Sequence, residues 1–163
     1  MIWNPFLRKK PDRSDTLYGA IVAAARQPFF YREWGVVDTV EGRFEMVVLH
    51  LSLVIIRLKG EHDDLRQALA NRFCLDMDDN LRELGVGDLG VAKRVRAMAE
   101  AFQGRYVAYE AALDEAQMAK AIARNVYAGM APSNALALYA LRAKVVLGGE
   151  SASDILNAKV LFQ

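Results

Sequence analysis

Two histidines, one cysteine and a short run of aspartates are the side chains in this sequence with the types for metal or acid–base chemistry. Their spacing serves neither. His50 and His62 lie in different segments, and neither belongs to an H-E-x-x-H pair, in which imidazoles one helical turn apart would hold zinc. Cys74 has no thiol or histidine near it at metal-ligand spacing; being single, it rules out an intramolecular disulfide framework and suits a reducing compartment. Asp76, Asp78 and Asp79 lack the alternating oxygen ligands, central glycine and twelfth-position glutamate of a calcium loop, and read as a solvated helix face. The glycine-rich Gly85–Gly90 lacks the spacing of a phosphate-binding P-loop and has no strand before it. There is no G-x-S-x-G elbow, and paired carboxylates occur only on faces that read as exposed. The expectation is a binding protein, not an enzyme, with no metal and no cofactor.

Binding chemistry is better represented. Arg43, His50 and Arg57 recur every seven residues and form one polar stripe suited to meeting acidic groups. Haem ligation by His50 is the single cofactor reading, and haem titration would reveal it. The segment PFFYREW packs Phe29, Phe30, Tyr31 and Trp34 into seven residues, either as a core wedge or as a stacking site. Lys93, Arg94 and Arg96 make too small a basic patch for nucleic acid, and the net charge of +1 gives no general attraction to it. At the N-terminus, Trp3, Phe6 and Leu7 precede Arg8, Lys9 and Lys10. These residues either touch a membrane surface or partner, or pack loosely onto the domain.

The element that must position these groups runs from Thr39 to Lys59. Phe44, Val47, Val48, Leu51, Val54, Ile55 and Leu58 form one broad apolar face, and Met46, Leu49, Leu53 and Ile56 a second opposite it. The stripes Glu45/Ser52/Lys59 and Arg43/His50/Arg57 lie between them. A helix apolar on two sides is central, with neighbours on both. Thr39 fits its N-cap and Gly60 its stop. The uninterrupted apolar run, Met46 to Ile56, is too short to span a membrane.

The remainder of the 163-residue chain reads as shorter helices, giving an all-α, single multi-helix domain. Ser14 caps a first helix to about Arg26, with Leu17, Ile21 and Ala24 inward. Pro28 opens a short helix that Gly35 ends. Residues 61–85 form one long or one broken helix on Leu65, Leu69, Phe73, Met77, Leu81 and Leu84. After an N-cap-like turn at Asp88, a helix from Val91 to Leu113 carries a core stripe of Val91, Val95, Met98, Phe102, Tyr109 and Leu113. Ala97, Ala101, Gly104 and Ala108 make a small-residue seam beside it. Arg94 and Arg105 border the stripe, within reach of Asp88 or of the acidic helix before it. Glu115 to Tyr127 is a helix ended by Gly129. Ser133 caps another through Leu147, apolar nearly all round and hence expected to be buried, and Ser151 starts a last short one. Residues 1–13 read as a flexible aromatic and basic segment and 14–159 as the helical domain. Val160 to Gln163 resembles the cut end of a protease-cleavable tag. No signal peptide is visible, which fits a bacterial cytoplasmic protein.

Several spaced motifs resemble one family. Tyr18-Gly-Ala-Ile-Val, Arg26-Gln-Pro-Phe-Phe-Tyr, Asp38-Thr-x-x-Gly-Arg-Phe-Glu-Met and Leu49-His50 are similar to the ubiquinol–cytochrome c chaperones. So are Met77-Asp-Asp-Asn-Leu-Arg-Glu-Leu-Gly-Val-Gly-Asp-Leu, Lys93-Arg-Val and Met98 through Phe102-x-Gly-Arg105. The likeness spans roughly Leu17 to Leu113 and weakens towards the C-terminus. It implies a helical, non-catalytic assembly factor for the cytochrome bc complex that binds newly made cytochrome b. In mitochondria such a protein works with a small partner and near the ribosome; a bacterial member would act at the cytoplasmic face of the inner membrane. The surface expected to hold such a client is bordered by Arg43, His50, Arg57, Arg94 and Arg105 with Phe29, Phe30, Tyr31 and Trp34. The competing functions are a peripheral membrane protein using Trp3 to Lys10, and a small-molecule or haem-binding protein with a pocket at His50.

Overall fold

A single helix sets the architecture. In the computed structural model, which describes residues 12–130 and 134–156, helix α3 spans Val40–Leu58, and every side chain from Met46 to Ile55 is buried. Around it stand α1 (Arg13–Ala25), α4 (Asp63–Glu83), α5 (Asp88–Ala111) and α7 (Asn134–Gly149), all in contact with it. The short α2 (Pro28–Arg32) wedges Phe30 into the core, α6 (Glu115–Asn125) bridges α5 and α7, and α8 (Ala152–Leu156) rests on α1. There is no strand among the described residues, and no helix among them is long and apolar enough to cross a membrane.

The helix boundaries follow local chemistry. The Thr39 hydroxyl accepts from the Gly42 amide at 3.1 Å, and Gly60 takes a positive φ just past α3. Pro28 opens α2, and Gly35, Gly85 and Gly129 turn left-handed after their helices. Residues 63–83 form one unbroken helix.

Other expectations need correction. Helix α1 is capped by Asp12, not Ser14. Asp12 and Asp15 form a reciprocal capping box, and Ser14 lies inside the helix, donating to the Asp12 carboxylate at 2.5 Å. Helix α5 begins at Asp88, three residues early, because Gly87 occupies the extended N-cap position. It stops at Ala111, so Leu113 lies outside it and is 82 % exposed. Tyr106 joins the α5 core face instead. The Gly104 end of the small-residue seam is bare: a Cβ there would meet nothing within 4 Å. Leu84 is exposed, and α7 is far from buried all round, with Val145 75 % exposed and Val146 and Leu138 also open. The segment 1–11, the Ser133 cap and Val160 to Gln163 lie outside the described residues.

Among the glycines, Gly42 has the closest neighbour. A Cβ built there would sit 1.9 Å from the Val37 carbonyl oxygen, which is backbone and cannot swing aside. Gly42→Ala should therefore destabilise the protein by about 1–3 kcal/mol, the usual range for forcing a methyl into occupied space. Thermal unfolding followed by circular dichroism should show a drop of about 2–4 °C per kcal/mol. An unchanged Tm would show that the 37–42 corner shifts freely.

Candidate partner-binding surface

The nine residues expected to border one surface occupy several different environments. His50 is fully buried on α3. Its Nδ1 lies 2.8 Å from the Met46 carbonyl, which can only accept, so Nδ1 carries the proton. Nε2 then accepts from the Tyr139 hydroxyl of α7 at 2.8 Å. Both ring nitrogens are engaged, which leaves neither for a haem iron. Phe30 packs edge-on to His50 and to Tyr139, with ring centroids 5.4 and 5.2 Å away, so this aromatic is core.

Arg57 works as a clamp. Its Nε donates to the Leu147 carbonyl and Nη2 to the Glu150 carbonyl, each at 2.9 Å, satisfying the end of α7, while Nη1 pairs with Glu61. Arg105 reaches neither Asp88 nor the acidic helix. It forms a two-pronged pair with Glu45 of α3, Nε to Oε2 at 2.6 Å, and donates to the Ala101 carbonyl. Its guanidinium is held further up in pKa by that carboxylate. Arg43 is exposed and paired with Asp38 at 2.6 Å, and this bond holds the Asp38 carboxyl below its ordinary value. Arg94 is exposed, with no side-chain partner among the described residues. Phe29, Tyr31 and Trp34 are half-buried; the Tyr31 hydroxyl donates to the Ala25 carbonyl at 2.9 Å. Asp76, from the acidic run, accepts from the Tyr18 hydroxyl at 2.9 Å, and Asp78 pairs with Arg82.

Among the open depressions of the described surface, two have mainly apolar linings. One, of about 310 Å³, lies on α7 between Trp34, Leu138, Tyr139 and Val146. The other, of about 380 Å³, is a cleft where the first turns of α3, the last turns of α4 and Met98 of α5 come together. Its floor is apolar, with Phe44, Val47, Met77 and Leu81, and Val40 and Leu84 stand on it 62 % and 66 % exposed. Arg26 and Arg43 line the α1–α3 side, and Asp76, Asn80 and Glu83 the α4 side. Of the nine expected residues, only Arg43 belongs to this cleft. Arg94 stands one helical turn before Met98 on α5. The signal in the sequence was Leu84: a leucine in phase with the core stripe yet in the residue just before a helix-ending glycine, where the stripe runs out into solvent.

The comparisons with known proteins fit this architecture. The family model described as Ubiquinol-cytochrome C chaperone matches residues 32–162. The chain belongs to this family. The match continues past Leu113, where the motif resemblance weakens, through the C-terminal helices. The crystal structure of the Cbp3 homolog from Brucella abortus is similar at 38 % identity and a TM-score of 0.83, over 93 % of this chain and 88 % of that one. None of the curated proteins matches.

Burial gives His50 a pH signature. Desolvation pushes its pKa down from 6.5 to about 4, partly opposed by the Met46 carbonyl. The folded state keeps the ring neutral while the unfolded chain protonates near 6.5. The contribution of His50 to stability is therefore complete above that pH and is lost as pH falls from 6.5 towards 4. Between pH 7.5 and 5 the loss should be about 2 kcal/mol. Denaturant titrations of the wild type and of His50→Gln at both pH values measure it. The wild type should lose that much more than the variant, and equal losses would mean that His50 is not held neutral.

Proposed function

We propose that this protein is a non-enzymatic assembly chaperone of ubiquinol–cytochrome c reductase that binds newly made cytochrome b and holds it until partner subunits arrive. The observation that carries the reading is family membership across residues 32–162, supported by the likeness to the Cbp3 homolog along nearly the whole chain. The physical character of the surface agrees. A client built of membrane helices needs apolar ground with polar groups at its edges to fix register, and the α3–α4–α5 cleft offers both. His50 bonds α3 to α7 and the Glu45–Arg105 pair bonds α3 to α5, so these groups serve packing inside the fold.

The reading places the protein where cytochrome b is made and inserted, at the cytoplasmic face of the inner membrane in a bacterium, with a small partner protein as a further associate. Affinity capture of the tagged chain from its native host, with mass spectrometry of the bound proteins, tests it. Cytochrome b should be enriched, and deletion of the gene should deplete the assembled complex while the transcript for cytochrome b persists. An intact complex in the deletion strain would refute the proposed function.

A further inference from the structure

The cleft between α3, α4 and α5 combines two features. It gathers apolar side chains: Val40 and Leu84, which no described residue covers, then the partly buried Phe44 and Met98, and beneath them the buried Met77 and Leu81. Two of these are methionines, whose unbranched, polarizable chains adapt to differently shaped partners. Its rim is also electrically divided. The α1–α3 wall carries Arg26 and Arg43, and the α4 wall carries Asp76 and Glu83. Arg43 is engaged by Asp38 and Asp76 by Tyr18. The side chains of Arg26 and Glu83 have no ion pair or hydrogen bond among the described residues, not even with each other across the gap. An exposed cation and an exposed anion, neither engaged in an ion pair among the described residues, thus stand on opposite lips of one apolar trough.

We infer that this cleft is the client-docking site, and that its occupant is an amphipathic helix of the newly made membrane protein. That helix lays an apolar stripe across Val40, Phe44, Leu81 and Leu84, with an acidic residue towards Arg26 and a basic residue towards Glu83. The inference rests on the chaperone reading and adds the place and polarity of contact. An apolar stripe flanked by opposite charges fixes both the direction of the bound helix and its rotation about its own axis, because the reversed helix would set like charges against each lip. The cleft takes the side chains of a helix lying across its mouth, the helix-in-groove mode. Arg94, one turn before Met98 and without a partner, extends the rim at the α5 end.

Capture from the native host with the full-length tagged chain tests this, comparing the wild type with three sets of variants. Val40→Glu with Leu84→Glu places charges on residues already more than half exposed, so the fold should survive. Recovery of cytochrome b should fall about tenfold or more, as expected when central apolar contacts of an interface are lost. Arg26→Glu with Glu83→Lys, which leaves the apolar floor intact, should also reduce recovery. Val107→Glu and Val145→Glu, exposed apolar positions outside the cleft, should not. Circular dichroism and Tm of each variant report folding, and the charge-reversed pair keeps the test decisive should Val40→Glu with Leu84→Glu unfold. A photo-crosslinker at Leu84 should give a product containing cytochrome b. If the wild type captures cytochrome b and both sets of cleft variants capture it equally well, the cleft is not the site while the chaperone reading stands. If the wild type captures none, the chaperone reading itself fails. A Leu84 crosslink to a different protein in place of cytochrome b would overturn the assignment of the occupant.

Discussion

The structure depends on burying α3 on all sides without stranding its polar side chains. A helix surrounded by neighbours has no water to satisfy Glu45, His50 or Arg57, so each must find its partner in another element, at a cost of several kcal/mol if a buried charge or donor is left alone. Glu45 finds Arg105 of α5, His50 finds Tyr139 of α7, and Arg57 finds the terminal carbonyls of α7. These three contacts, spaced along α3, act as register marks. A shift of α5 or α7 by one turn would break these polar contacts as well as the apolar packing. Ser52 is the exception, a buried hydroxyl with no hydrogen-bond partner among the described residues.

The register so imposed also leaves ground open. With α5 fixed through Arg105, its first turns carry Met98 and Arg94 out beside the start of α3, where α4 is already ending. Helix α1 also stops there, at Ala25, followed by Arg26. Three helix ends and one helix flank meet around Val40 and Phe44, and no further element among the described residues closes over them. A fully packed bundle would have covered this trough. That it stays open beside an axis buried from Glu45 to Ile55 suits a chaperone, since the surface can hold a client without the core rearranging.

Much of the fold was legible in the sequence because helical periodicity and terminal chemistry are local. The span of α3, the proline opening α2 and the glycines closing four helices are each decided by a few adjacent residues. Where two local signals competed, the reading slipped: Asp12 and Ser14 can both cap a helix, and the capping box with Asp15 decides for Asp12. The site was harder to read for a different reason. A helical wheel shows that Arg43, His50 and Arg57 share a stripe, but not whether that stripe meets water, a ring or a carbonyl. It meets Asp38 in solvent, Tyr139 in the core and a helix end. Nor can periodicity say which apolar residues lack a neighbour. Leu81 and Leu84 lie on one stripe, yet one is covered and the other is open, and α7 carries apolar side chains that no described residue covers. The cleft exists only in the way separate elements end together.

Under the proposed function, the buried part of α3 presents the α3–α4–α5 cleft to a membrane-protein client. Hydrogen–deuterium exchange, compared between the chain alone and its complex with cytochrome b isolated from the host, tests that claim most directly. Slowed exchange should concentrate at 40–47, 77–84 and 94–98, with 48–55 already protected in the free protein and unchanged on binding. Protection that falls instead on α7 around Leu138 to Val146, with the cleft exchanging as before, would contradict it.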